Sequence, residues 1–345
     1  MASIQEVQVT ALAVMRIIKH STSAFPAPAT GCILGMDVDS QLQVTNAFPF
    51  PAAHALAAPR TKLAQKYETE MINMLREVNV DAQSVGWYMS CSMGSFVTPA
   101  FIENLAFYQS REGDQSVALV FDVSRSSQGS LHLKAYRLSP QFLAAYQEKK
   151  FTSESLQKSG LRFQDIVIEY PVSVYNSHLL TCYLHQLPSP PPEDSVHLPA
   201  SVAEILRGRI SSSTLYPNFD NLELSIDPFL EKTSELISEA VDAHQTEQNN
   251  TQYYQRSRAR EEAKIAAWQQ KRKSENALRA QQKQPLLPED EWTKLFKLPT
   301  EPSRFETMLI GRQVDQYARQ IDGFGAVAET KLFSITGNLL PRDDD

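Results

Sequence analysis

The chain has 345 residues, 42% hydrophobic and 21% charged, with a net charge of −7. That leaves room for one sizeable core and a second module, and the acidic balance excludes a chain built as a whole to hold nucleic acid. Three cysteines, Cys32, Cys91 and Cys182, are too few and too scattered for a disulfide framework or a zinc ribbon.

The opening Met-Ala-Ser-Ile-Gln-Glu lacks the basic start and apolar run of a secretion signal. No apolar stretch approaches the roughly 20 residues that span a bilayer. The expectation is a cytoplasmic protein with free thiols.

In chain order, residues 6–10 alternate as a short strand. Leu12, Met15 and Ile18 then fall on helical spacing, which predicts a helix to about His20. A loop with two prolines follows at Ser21–Ala29. Gly31–Val38 and Gln41–Phe48 read as strands joined by an Asp39-Ser40 turn. Gly31 and Gly35 are no phosphate loop, because no Lys-Ser/Thr follows and the next element is a strand. His54 lies in an Ala-rich loop. With His20 and Cys91 it makes no set with metal-ligand spacing.

Lys62–Asn79 is the clearest helix of the first half. Leu63, Tyr67, Met71, Met74 and Val78 make one apolar stripe, its methionines serving as core filler. A strand at Gln83–Ser90 and a helix from Pro99 follow, the helix capped by Thr98. Residues 117–123 are nearly all apolar, as in a strand covered on both faces. The next strand holds Leu131, Leu133, Ala135 and Tyr136, with His132 alternating outward to the surface. Residues 140–159 carry two short helices, Phe163–Val174 is a strand interrupted at Pro171, and Asn176–Leu187 is a helix capped by Asn176. Pro188–Pro192 begins a linker, and a short helix is expected at Ser201–Gly208.

A long helix is predicted from about Pro228 to Gln282. Phe229, Leu230, Leu236, Ile237 and Val241 give its start an apolar side. Its later part is polar all round, and residues 256–283 hold nine Lys or Arg against three Glu. A weak RNA contact is one reading of that segment. A solvated helix face is the other, and the interleaved acids favour it. Trp292, Leu295 and Phe296 form a short anchor. A last helix from Ser303 carries Leu309, Val314, Tyr317, Ile321, Phe324 and Leu332, a stripe that lies away from the sequence core and calls for partner helices.

The stretch with most chemical information is Gly86–Ile102, where a strand, a Ser-Met-Gly loop and a helix start meet. A zinc hydrolase needs about three N, O or S ligands beside an open water position. Here Cys91 is the single soft donor, and no His or carboxylate occurs before Glu103.

Gly86-Trp-Tyr-Met-Ser-Cys91 resembles the signature of the MPN (JAB) fold. In active members this reads Gly-Trp-Tyr-His-Ser-His, followed by seven residues, Ser, two residues and Asp. Gly86, Trp87, Tyr88 and Ser90 match. The two His positions fall on Met89 and Cys91, the Ser on Pro99, the Asp on Ile102 and the upstream catalytic Glu near Pro28. The resemblance therefore implies the fold without its zinc: no catalytic, cofactor or metal residues, and no enzyme.

Further matches at Gln128–Leu138, Asn176–Leu179, Leu287–Phe296 and the final helix are similar to the H-subunit family of eukaryotic translation initiation factor 3. That resemblance implies an α+β fold, an α/β/α MPN domain with a central mixed sheet over residues 5–187. A linker at 188–227 and a helical extension at 228–340 would follow. It implies a non-catalytic scaffold that pairs with the MPN-type F subunit, joins PCI-type subunits through the last helix, and helps the assembly act on the small ribosomal subunit and recruit mRNA. An inactive MPN subunit of the proteasome lid or signalosome is the runner-up. A zinc isopeptidase rebuilt from Cys91, His20 or His54 comes far behind.

Overall fold

The computed structural model describes residues 4–51, 61–78, 83–113, 116–126, 131–186, 227–281, 285, 287–288 and 291–339. The first element is strand β1 (Glu6–Thr10). Thr10 caps helix α1 (Ala11–Ala24), its hydroxyl accepting from the Ala13 amide. The helix runs four residues past His20, as far as the turn before the two prolines. Strands β2 (Thr30–Val38) and β3 (Gln41–Pro49) form the expected hairpin. Asp39 and Ser40 both take positive φ, 50° and 77°, the left-handed pair a tight hairpin needs.

Then come α2 (Lys62–Glu77), β4 (Gln83–Cys91), α3 (Pro99–Glu112), β5 (Val117–Asp122) and the single turn α4 (Val123–Ser126). Strand β6 (Leu133–Leu138), helices α5 (Pro140–Glu148) and α6 (Ser153–Ser159), strands β7 (Val167–Tyr170) and β8 (Val172–Tyr175) and helix α7 (His178–Gln186) complete this half. Ser177, not Asn176, caps α7: its hydroxyl accepts from the Leu180 amide.

All eight strands lie in one mixed sheet of order β7-β6-β5-β4-β2-β3-β1-β8. Its outermost strands are consecutive in sequence, with only Pro171 between them. One strand, kinked where proline removes a donor, thus pairs antiparallel with β6 and parallel with β1 and closes the sheet on itself. The Pro171 carbonyl still accepts from the Val7 amide at 3.0 Å.

Alternation along the strands sorts the core. Val117, Leu119 and Phe121 pack towards α1 with Val14 and Ile17. Ala118 and Val120 face Phe101, Leu105 and Tyr108 of α3 on the other side. The burial that results is the main stabilising term of the domain. Helix α2 covers β2 and β3 with only part of the predicted stripe: Tyr67 and Met71 pack against the cluster of Phe48 and Phe50. Leu63, Met74 and Val78 are exposed, while Ala64 and Glu68 are buried. The helix turns one position further because Arg111 of α3 takes both Glu68 oxygens (3.0 and 2.5 Å), which lets a carboxylate sit inside.

Beyond the domain run α8 (Asp227–Gln281), the short α9 (Trp292–Leu295) and α10 (Phe305–Leu339). The segment before α10 returns alongside α8. Asn276 bonds both the amide and the carbonyl of Leu287 at 3.0 Å, and Arg272 meets Glu291. Helix α10 does not lie away from the core, as its sequence suggests. Phe305 stacks among Phe142, Tyr146 and Phe151, and Met308 and Leu309 enter the same cluster as Trp87. The reason is that α5 and β7 leave an apolar groove which only a later segment can fill. Among the described residues no helix is long and apolar enough to cross a membrane. Residues 188–226 of the expected 188–227 linker, the Ser201–Gly208 helix and His54 lie outside the described residues.

Candidate functional site

The site expected from the sequence forms where β4 ends. Gly86 begins the motif with φ of 144°, and a Cβ there would run into the Val117 carbonyl of β5, so only glycine suits this ladder position. Trp87 and Tyr88 then point to opposite faces. Trp87 stacks on Tyr108, and the Tyr88 hydroxyl meets His20 Nδ1 at 2.8 Å. His20 is thus a hydrogen-bond partner of the core, with its pKa lowered by burial.

Beyond β4, Thr98 caps α3 as predicted, accepting from the Phe101 amide at 3.2 Å. Strand end, helix start and the loop before β2 enclose a cavity of about 280 Å³. Pro26, Pro28, Trp87, Met89, Cys91, Thr98, Phe101 and Asn104 are among its walls. Of the positions aligned with the active-site residues of MPN domains, Pro28, Met89 and Cys91 line this cleft, whereas Pro99 and Ile102 lie outside its walls. Pro28 has no donor, Pro99 is exposed at the helix start, and Ile102 is fully buried among apolar side chains. Met89 offers a neutral thioether. The Cys91 thiol is pushed well up by burial, and the adjacent Asp122 charge adds to this, so the metal-binding thiolate is disfavoured. Among the described residues no three His, Cys, Asp or Glu come together as a ligand set. The residues present do not fit zinc. Nor do they suit an ionic ligand, since among the described residues no Lys, Arg, Asp, Glu or His lines the cavity.

What the loop after Cys91 does is hold the last helix. Met93 and Gly94 both adopt positive φ, 55° and 66°. This turn sends Met93 against Phe229 of α8 and Phe324 of α10, whose rings stack at 4.7 Å. The Gly94 amide donates to Asp122 Oδ2 at 2.8 Å. Gln313 of α10 spans the loop: its Oε1 accepts from the Val97 amide at 3.0 Å, and its Nε2 donates to the Gly94 carbonyl at 2.9 Å.

The buried Asp122 carboxylate also accepts from the Arg125 amide at 3.1 Å and from Gln320 of α10 at 3.0 Å. Burial raises its pKa against these donors. Arg125 lies against Gly323 of α10 and donates to His132 Nε2 at 3.2 Å. His132, expected at the surface, is therefore half-buried. Its pKa is lowered to about 4 by burial first and then by the Arg125 charge.

The predicted partner-binding stripe of α10 divides. Leu309 (3% exposed), Tyr317 (4%) and Phe324 (7%) are covered within this chain, and Val314 is half-buried. Ile321, Leu332 and Phe333 are exposed to solvent. Asp122, Gln313, Gln320 and Met93 carried no signal in the sequence. Gln313, Gln316 and Gln320 do repeat at three and four, but polar residues at that spacing read as a solvent face until the partner strand is known.

Fold and site together define an MPN domain whose catalytic donors are replaced and whose emptied loop anchors a helical extension. Residues 2–112 match the family described as JAB1/Mov34/MPN/PAD-1 ubiquitin protease, and residues 126–204 and 202–338 match the C-terminal region of eIF3h. The H subunit of eukaryotic translation initiation factor 3 from Coccidioides immitis is 60% identical, over 99% of this chain and 97% of that protein. The H subunits of Aspergillus niger and Aspergillus fumigatus are 57% and 58% identical, each over 98% of this chain and 96% of theirs. The chain belongs to the H-subunit family of eukaryotic translation initiation factor 3.

Proposed function

We propose that this protein is a non-catalytic scaffold subunit of translation initiation factor 3, working in the cytoplasm. The observation that carries this is likeness to the H subunit along nearly the whole chain, joined to Met89, Cys91, Pro99 and Ile102 at the positions aligned with the ligands of active MPN domains. A hydrolase of this class needs the metal-bound water that such residues cannot hold. The MPN half pairs with the MPN-type F subunit. The far part of α10, with Ile321, Leu332 and Phe333 exposed, enters a helical bundle with PCI-type subunits, and the assembly acts on the small ribosomal subunit to promote pre-initiation complex formation and mRNA recruitment. Residues 5–187, 188–227 and 228–340 are its three working parts, with the start of the last helix folded back onto the first.

The test is affinity purification of the tagged full chain beside a version ending at Gly325, which keeps every contact of α10 with the domain named above. The full chain should bring initiation-factor subunits and the small ribosomal subunit, and the shortened one should lose the PCI-type subunits alone. Recovery of the same partners by both versions removes the bundle role from residues 326–339. Recovery of lid or signalosome subunits overturns the scaffold assignment itself.

A further inference from the structure

The charges of α8 do not surround it evenly. On a wheel of about 100° per residue, Arg256, Arg260, Lys271 and Lys264 fall within an arc of about 80°, and Tyr253 falls inside the same arc. All five are exposed. Arg272 and Asn276, which meet the returning segment, and the buried Ile265 lie on the opposite side. The face is therefore left open by the fold, while the other side of the helix is covered.

The acids of this region are also placed off the arc. Glu261 and Glu262 lie outside it, so from Tyr253 to Lys271 no carboxylate interrupts the row. Arg258 pairs with Glu262, and Arg272 with Glu291, on the other faces, while Glu275, about 20° outside the arc and past its end, is drawn to Arg272. Of the row itself Lys264 reaches Glu261, whereas Arg256, Arg260 and Lys271 make no ion pair with any described residue. The result is a straight row of cations about 22 Å long, on a chain that is otherwise acidic.

We infer that this face of α8 binds the phosphate backbone of double-stranded RNA. A protein partner would need an apolar anchor at the centre of its contact, and between the cations the arc carries only the small Ala267, the exposed Tyr253 and Leu278 standing beyond its two ends. Phosphates need only cations in a fixed row, and binding gains from released counterions. A rigid helix face fits a rigid duplex better than a flexible strand, and Tyr253 can lie against the ribose edge of the shallow groove. The inference stands on the charges of α8 and is independent of the scaffold reading.

The experiment is fluorescence anisotropy of the full chain with a labelled 20-base-pair RNA duplex over a salt series. The affinity should fall on the order of 100-fold between 50 and 200 mM salt, as expected for about four phosphate contacts. Arg256→Gln/Arg260→Gln/Lys271→Gln should weaken binding at least about tenfold and flatten the salt slope. Arg258→Gln/Lys273→Gln/Arg279→Gln removes the same charge from the other faces and should bind almost as the parent does. Equal loss in both triple variants, or none in either, overturns the inference. So does equal competition by polyglutamate, which would assign the face to acidic protein. Unchanged helical circular dichroism shows that the variants are folded. Loss of RNA binding with normal subunit recovery touches only this inference, and loss of subunits with intact RNA binding touches only the scaffold reading.

Discussion

Gln320 Nε2 donates to Asp122 Oδ2 at 3.0 Å, across 198 residues of sequence. The contact ties the last helix to the end of β5 inside a site where both groups are buried. A buried carboxylate needs every donor it can find, and this one has Gly94, Arg125 and Gln320. Placing Gln313 on the same loop makes the attachment specific in register: a slip of α10 by one turn would leave Asp122, Gly94 and Val97 short of partners.

Gly94→Ala tests this attachment at its tightest point. A Cβ there would occupy the place of the Gln320 amide, at a backbone φ of 66°. Left-handed backbone costs about 1–2 kcal/mol for alanine, and a displaced hydrogen bond about 1 kcal/mol more. Urea unfolding should show a loss of about 2–3 kcal/mol with hydrogen exchange rising first in residues 313–324; an unchanged midpoint would refute the role given to this turn.

Phe324→Ala removes the ring that stacks on Phe229 and covers Met93. Such truncations cost about 3–5 kcal/mol in a closed core. Because this cluster is a satellite of the main core, the loss should appear as local release of α8 and α10. Hydrogen exchange should rise there while β4 and β5 stay protected. A uniform rise across the sheet would show that the two parts unfold as one.

Arg111→Met leaves Glu68 buried without its partner. Breaking a buried pair costs about 3–5 kcal/mol, and since the Arg111 side chain is 33% exposed a smaller loss, about 2–3 kcal/mol, is expected. The double variant Glu68→Leu/Arg111→Met should recover most of that loss, because an apolar pair needs no compensation. Failure of the double variant to recover stability would mean that the two side chains do more than neutralise each other.

His132 gives the pH dependence. Its Nε2 accepts from Arg125, since a guanidinium can only donate, so the proton sits on Nδ1 and the ring is neutral. Burial first, and then the Arg125 charge, lowers its pKa from 6.5 to about 4 in the folded protein. The unfolded chain therefore binds the proton first. The stability tied to the neutral ring is fully present above about pH 6.5 and is lost as pH falls towards 4. His132→Gln should flatten the stability profile through that window, and a parallel profile would remove His132 as its cause.

The sequence by itself determined most of the local structure. The alternation of β5, the Thr98-Pro99 start of α3, the Asp39-Ser40 turn and the break at Pro171 follow from periodicity, capping and φ constraints within a few residues. It also determined the replacement of the zinc donors, because the chemistry of Met89, Cys91 and Ile102 is a matter of residue identity at fixed spacing. Only the tertiary structure decided which face of α2 turns inward, because the choice rests on Arg111, 43 residues away. It alone decided that Leu309, Tyr317 and Phe324 are covered within this chain. An apolar stripe states that a helix needs a cover, and the groove that supplies it is built by α5, β7 and the Met93 turn, whose proximity no sequence spacing encodes.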